Sequence, residues 1–567
     1  MAFQHDHGKA SRRQSGESRA TESIMSKERL YLFDTTLRDG AQTTGVDFSL
    51  EDKRRLMRVL DDLGVDYIEG GFPGANATDT ELFSARPSLK SARFTAFGMT
   101  KRAGRSVSND PGLQAILQSA ADSICLVAKS SDYQVRVALG ITNDENLEAI
   151  RQSVSAVVET QREAMIDCEH FFDGYKSNRD YALAVAKTAY DAGARWVVLC
   201  DTNGGTLPHE VERIVADVAK HVPGANLGIH THNDTENAVA NTLMAVRAGC
   251  RQIQGTLNGL GERCGNANLT SIIPTLLLKS EFAEAFTTGV TPDKLRTLTH
   301  ASRVLDEVLN EAPNRHAPYV GESAFATKAG IHASALMKAP ETYEHVPPES
   351  VGNERRILVS KQGGRSSLTS ALERLGLPSD KDDARVQALL DEVKAREDQG
   401  YSYEAAEASF ELLARRALAS VPRYFSVDNF RVTVERHEER SRSHNGNGTV
   451  SHAVVTVSIA GDDAPLVSVG EGNGPVNALD KALRSDLGRY QKHIENVELV
   501  DYKVRILTQT HAGGTDAVTR VLVESHDPRT GERWTTVGVS PNIIDASFEA
   551  LLDSINYKLL KDEAQVS

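Results

Sequence analysis

The chain has 567 residues, 64 basic and 78 acidic, and a formal charge of −14. That balance argues against nucleic acid or an anionic membrane as its main partner. No apolar run approaches the ~18 residues of a spanning helix. The five cysteines (Cys125, Cys168, Cys200, Cys250 and Cys264) show no C-x-x-C spacing. They read as reduced thiols of a cytoplasmic protein.

Residues 1–27 are rich in Ser, Arg, His and Glu, and a disordered extension is expected there. From residue 28 to 290 a short apolar run ending in a polar residue alternates with a helical pattern. The strand candidates are Leu30–Asp34, Asp66–Phe72, Arg93–Gly98, Ser123–Lys129, Met165–Phe172, Trp196–Asp201, Asn226–His232 and Gln252–Leu257. Between the first two, Ser49 and Asp52 predict a capping box, Leu56, Val59, Leu60 and Leu63 one apolar face, and Gly64 the stop. Eight such units predict an α/β chain folded as a (β/α)8 TIM barrel. A doubly wound open sheet competes. The barrel is favoured because Arg38, Asp39, Glu69, Lys129, Glu169, Asp201, His230, His232 and Glu262 all fall at strand C-termini, which only a closed barrel gathers at one mouth.

Residues 291–425 read as helical subdomains and a linker. Residues 426–562 read as an α+β domain of two βββα repeats. Val469-Gly470 matches Val537-Gly538, Ala478 matches Ala546, and Ala482-Leu483 matches Ala550-Leu551, all at one offset. The run His437–Gly448 is Asn/Gly/Ser-rich and reads as a mobile loop.

In an extended segment His230 and His232 point to one face and form a natural chelate for a divalent ion. Asp39, in Leu37-Arg38-Asp39-Gly40, supplies an oxygen ligand if the strand ends meet. Asn266, in the Gly-rich loop after the eighth strand, offers a further amide oxygen. Imidazole with carboxylate suits Mn, Mg or Zn. Arg38 presents a planar fork for a carboxylate or keto oxygen. Glu169 alternates with Asp167 on one face, and an ion pair with Lys129 is its competing assignment.

Three strings, in order, resemble the metal-dependent barrel family with LRDG and H-x-H motifs: Asp34–Gly40, Gly228–Asp234 and Gly261–Asn266. Within it the chain looks like the Claisen-condensing acyltransferases, namely the citramalate, 2-isopropylmalate and homocitrate synthases. Glu169–Gly174, Pro340–His345 and Val351–Arg356 are most similar to the citramalate branch. That resemblance implies condensation of acetyl-CoA with pyruvate and thioester hydrolysis, giving (R)-citramalate and CoA for isoleucine biosynthesis. It implies a metal held by Asp39, His230 and His232 with Asn266, and Arg38 stabilising the developing alkoxide. It further implies Glu169 orienting a water, Thr202 binding the pyruvate carboxylate, and His332 with Tyr343 as base. Phe97 and Leu126 are the expected pocket walls. The C-terminal domain is expected to dimerise the chain and bind isoleucine as a feedback inhibitor, with Gly513, Gly514 and Asp516 in its effector loop. One departure is Ala41-Gln42 after Gly40, where many relatives carry Glu-Gln. The alternatives are a 2-isopropylmalate synthase acting on 2-oxoisovalerate and a catalytically inactive amino-acid sensor.

Overall fold

A computed structural model of the chain describes residues 27–565, other than 329, 360–363, 381, 420, 437–448, 463 and 508–516. The expected N-terminal extension up to residue 26, the loop 437–448, and Gly513, Gly514 and Asp516 lie outside the described residues. The chain divides into two compact units. One runs to Gly321 and includes Glu349–Asn353; the other comprises Glu322–Pro348 and everything from Glu354 onward.

The first unit is a closed barrel of eight parallel strands. They are β1 (Tyr31–Asp34), β2 (Tyr67–Gly71), β3 (Arg93–Met99), β4 (Ser123–Lys129), β5 (Glu163–Glu169), β6 (Trp196–Asp201), β7 (Leu227–Thr231) and β8 (Gln252–Gly255). Closure comes from β1 pairing with β8, Tyr31 against Gln252 through Asp34 against Gly255. Helices connect successive strands. The helix Leu50–Leu63 has both halves of the Ser49/Asp52 capping box and ends at Gly64 with φ 98°. Only glycine fits there, because a Cβ would lie 2.6 Å from the Gly289 carbonyl oxygen. Leu56, Met57, Leu60 and Leu63 are buried on its inner face.

Alternation along each strand sorts the interior into layers. Phe33, Tyr67, Cys125, Met165, Trp196, Val198 and Cys200 form one buried cluster that plugs the barrel. Burying each large side chain contributes about 2–3 kcal/mol. The polar atoms within the plug are paired: Trp196 Nε1 donates to the Tyr67 hydroxyl at 3.1 Å, and that hydroxyl donates to Glu163 at 2.8 Å. One layer higher, toward the strand C-termini, the inward residues are Glu69, Asp167, His230 and Gln254.

Two local readings change. The strand expected to run to Phe172 ends at Glu169; His170 takes φ 58° and Phe171–Ser177 is helical. The helix Leu298–Leu309, expected in the linker, belongs to the barrel unit, where the Asn258 amide donates to Asp306 at 2.9 Å.

The second unit contains a helical core around Leu368, Leu372, Val386, Leu389 and Val393. Beyond it lie two three-stranded antiparallel sheets. Phe425–Arg436, Thr449–Ile459 and Leu466–Gly472 are followed by the helix Pro475–Ser485. Glu498–Ile506, Thr519–Asp527 and Glu532–Ser540 are followed by the helix Ile543–Lys561. The repeat identities have a packing cause. A Cβ on Gly470 would lie 2.3 Å from the Ala478 carbonyl oxygen, and one on Gly538 would lie 2.0 Å from that of Ala546. In both halves glycine on the strand and alanine on the helix let the two backbones touch.

Candidate metal centre

β1 and β7 carry the pieces of the centre. Leu37 to Asp39 turn inward just beyond β1, with the Asp39 amide bonded to the Thr35 carbonyl at 2.9 Å. His230 lies on β7 and His232 just beyond it, bridged to Asn266 of the Gly-rich loop. Asp39 Oδ2 is 3.2 Å from His230 Nε2 and 4.0 Å from His232 Nε2, and the two imidazole nitrogens are 3.2 Å apart. One ligand atom from each of these three residues falls within 4.8 Å of the others, and all three side chains are buried. The three side chains grouped by the sequence reading are therefore brought together in space.

The donor set fits a divalent cation on two further counts. Asp39 Oδ1 and Asn266 Oδ1 are buried acceptors with no hydrogen-bond partner, a costly state that a cation relieves. The Asn266 amide nitrogen donates to the Leu260 carbonyl at 3.0 Å, which leaves Asn266 Oδ1 as the unpaired end of the side chain. Charge is also unbalanced. Asp39, Glu69 and Asp167 face Arg38, so the ionised set carries two negative charges in excess. Burial pushes the Glu69 and Asp167 carboxyls up. Asp39 goes the other way: burial opposes its ionisation, but Arg38 and the two histidines hold it well below the usual carboxylate range. His232 is pulled down to about 4 by burial and by His230, so it is neutral near pH 7 and able to ligate.

Arg38 is clamped rather than free. Its Nε donates to Glu69 Oε2 at 2.7 Å, and Thr35 Oγ1 donates to the same oxygen at 2.5 Å. The guanidinium carbon sits 4.0 Å over the Phe97 ring. This orients the fork and leaves its remaining N–H groups near Asp39, 3.4 Å away. Phe97 thus faces the mouth. Leu126 does not, which corrects the expected pocket wall. It alternates on β4 with Cys125, whose side chain joins the interior plug, so Leu126 points into the surrounding helical layer. Val127, one residue later, shares the inner face with Cys125.

Glu169 is ion-paired with Lys129, the competing assignment of the sequence reading, and both remain partly exposed at the mouth. Thr202 Oγ1 accepts the His170 amide at 2.8 Å, so its hydroxyl hydrogen stays available to a ligand oxygen. His332 and Tyr343 lie in the second unit and stack at 4.2 Å between ring centroids. Both are exposed.

Sequence reasoning passed over three neighbours. Glu69 was placed at a strand end without a role, and Thr35 and Gln254 were unremarked. No local pattern marks those roles, since Thr35 and Glu69 meet across 34 residues and Gln254 meets His230 across 24.

A closed (β/α)8 barrel with an Asp-His-His cluster at its mouth, followed by paired βββα repeats, defines a class of two-part barrel proteins. The sequence agrees in three segments. Residues 29–301 match the HMGL-like family, 319–401 the homocitrate synthase post-HMGL domain-like family, and 404–559 the LeuA allosteric (dimerisation) domain. The (R)-citramalate synthase of Aquifex aeolicus is 47% identical over 541 residues, covering 95% of this chain and 99% of that one. That of Geobacter sulfurreducens is 47% identical over 535 residues, covering 94% and 98%. The 2-isopropylmalate synthase of Methanocaldococcus jannaschii is 31% identical over 550 residues, covering 96% and 98%. The chain belongs to the (R)-citramalate synthase family. Among the described residues no helix is long and apolar enough to cross a membrane.

Proposed function

We propose that the protein condenses acetyl-CoA with pyruvate and hydrolyses the resulting thioester, releasing (R)-citramalate and CoA. The observation that carries this reading is the 42–47% identity, along 94–95% of the chain, to five proteins named for that activity. Proteins named as 2-isopropylmalate synthases stand at 31–32%. Asp39, His230 and His232 would hold a divalent metal, with Asn266 as a further donor. When bound, the metal supplies Lewis acidity toward a 2-oxo acid.

The chain's own residues do the rest. Arg38, fixed by Glu69 and Phe97, presents N–H donors to the oxygen where negative charge develops. The Thr202 hydroxyl donates to the pyruvate carboxylate. Phe97 lies beside the substrate methyl and leaves little room for a branched chain. His332, with Tyr343 stacked on it, takes a methyl proton from acetyl-CoA as general base. Glu169, held by Lys129, orients the water that hydrolyses the thioester. The C-terminal domain dimerises the chain and binds isoleucine as an inhibitor.

CoA release, measured with metal stripped and restored, tests the assignment. Pyruvate is expected to be used far better than 2-oxoisovalerate, and only with metal present. Preference for 2-oxoisovalerate would make the protein a 2-isopropylmalate synthase instead. Addition of millimolar isoleucine is expected to lower the rate; an unchanged rate refutes the effector role.

A further inference from the structure

We propose that Gln254 is a positioning residue that fixes the tautomer of His230, and that Asp167 acts through it. The inference rests on the metal-centre reading. Gln254 lies on β8 with its side chain fully buried in the layer beneath the mouth. Its amide reaches two partners: His230 Nδ1 is 2.8 Å from Oε1, and Nε2 donates to Asp167 Oδ1 at 3.0 Å. An amide carries one acceptor end and one donor end, and the neighbours decide which way it points. Nε2 is the end that faces Asp167 and donates to it, so the carbonyl end is turned the other way. Oε1 is then left facing His230, where it can only accept. The hydrogen of a neutral His230 must therefore sit on Nδ1, and the lone pair on Nε2.

That lone pair is the one aimed at the cluster, because Nε2 is the atom 3.2 Å from Asp39 Oδ2 and 3.2 Å from His232 Nε2. A ligating histidine works best when its other nitrogen is held as a donor. Asp167 is itself steadied by the Cys125 thiol, which donates to it. The neighbouring glutamine on the same face makes the contrast. Gln252 Oε1 is buried without a partner, and its amide meets only the Met165 sulfur at 3.5 Å. Two inward glutamines share a strand, and one alone links a candidate ligand to a carboxylate.

The test is Mn²⁺ binding to the full-length metal-free protein, followed by electron paramagnetic resonance, with thermal unfolding of the metal-free form in parallel. Gln254→Met keeps the length and removes both bonds. It is expected to weaken Mn²⁺ binding by about 10–100-fold, the usual effect of losing a partner behind a ligand. Gln254→Glu keeps an acceptor for His230 Nδ1 while setting a carboxyl against Asp167, and is expected to bind within a few-fold of the natural protein. A packing role predicts the reverse order, since the buried acid is the harsher substitution. Asp167→Asn is expected to weaken binding in the natural background and to add nothing in Gln254→Met. Binding by Gln254→Met within twofold of the natural protein, or the reversed order, overturns the inference while leaving the metal centre standing. If the natural protein takes up no Mn²⁺, or His230→Ala takes it up equally well, the metal-centre reading fails first and this inference with it.

Discussion

The paired glycines of the C-terminal repeats make a quantitative prediction about Gly538→Ala. An added Cβ would stand 2.0 Å from the Ala546 carbonyl oxygen and 3.0 Å from the Ala550 backbone nitrogen. Ordinary carbon–oxygen contact begins near 3.4 Å, so the helix Ile543–Lys561 must retreat by about 1.4 Å. A gap of even about 1 Å forfeits up to about half of each contact well along the interface, so this one forfeits at least that much. The residues that lose contact are fully buried, among them Ala546, Ala550 and Leu551. Overpacking of this kind costs about 1–3 kcal/mol and occasionally more; with rigid backbone on both sides about 3 kcal/mol is expected. The chain has two tryptophans, one in each unit, so urea unfolding can be followed separately. Trp534, on the strand that carries Gly538, reports the C-terminal unit once Trp196 is replaced by Phe. Gly474→Ala is the control, because nothing lies within 4 Å of its Cβ position. The reasoning is refuted if the two substitutions shift the Trp534 transition equally, or if Gly538→Ala shifts it by less than about 0.5 kcal/mol, the ordinary range of a surface change.

Further outcomes follow from the same contacts. Lys558 is buried between Asp527 and Asp562, at 2.7 Å from each. Lys558→Met leaves Asp527 with Arg529 as its remaining cation and is expected to cost about 1–3 kcal/mol in urea unfolding. Burial, against hydrogen bonds from Thr36, pushes the Asp34 carboxyl up to about 7. Its folded value exceeds the unfolded one, so its contribution is full below about pH 4 and is lost as pH rises through about 7. The stability of Asp34→Asn relative to the natural protein should therefore improve between pH 4 and pH 8, by at most about 4 kcal/mol at about 1.4 kcal/mol per pH unit; a pH-independent difference refutes this. Thr202→Val is expected to lower kcat/KM for pyruvate by about 10–100-fold, the value of a hydrogen bond to a charged group. Thr202→Ser should restore most of it, which steady-state kinetics will show.

Much of this protein follows from local chemistry. The strand–helix alternation, the Ser49 cap, the Gly64 stop and the βββα repeat depend on residues a few positions apart, and periodicity reports them directly. His230 and His232 were legible as a pair because strand geometry alone places them on one face. Asp39 could be joined to them once the repeated pattern implied a closed barrel.

Partners far apart in the chain were not legible. Glu69 clamps Arg38 from 31 residues away, and Gln254 links His230 to Asp167 across three strands that only barrel closure brings together. Leu126 and Phe97 have the same apolar character, and their sequence positions relative to strand ends are similar. The register of β4 turns one toward the helices, while that of β3 turns the other under Arg38. Sequence by itself determined most of the elements, their order and the pairing of His230 with His232 on one face. The tertiary structure decided which neighbours orient that pair, because hydrogen bonds and strand parity in a closed barrel depend on how the strands are staggered against one another, and no local pattern encodes that stagger.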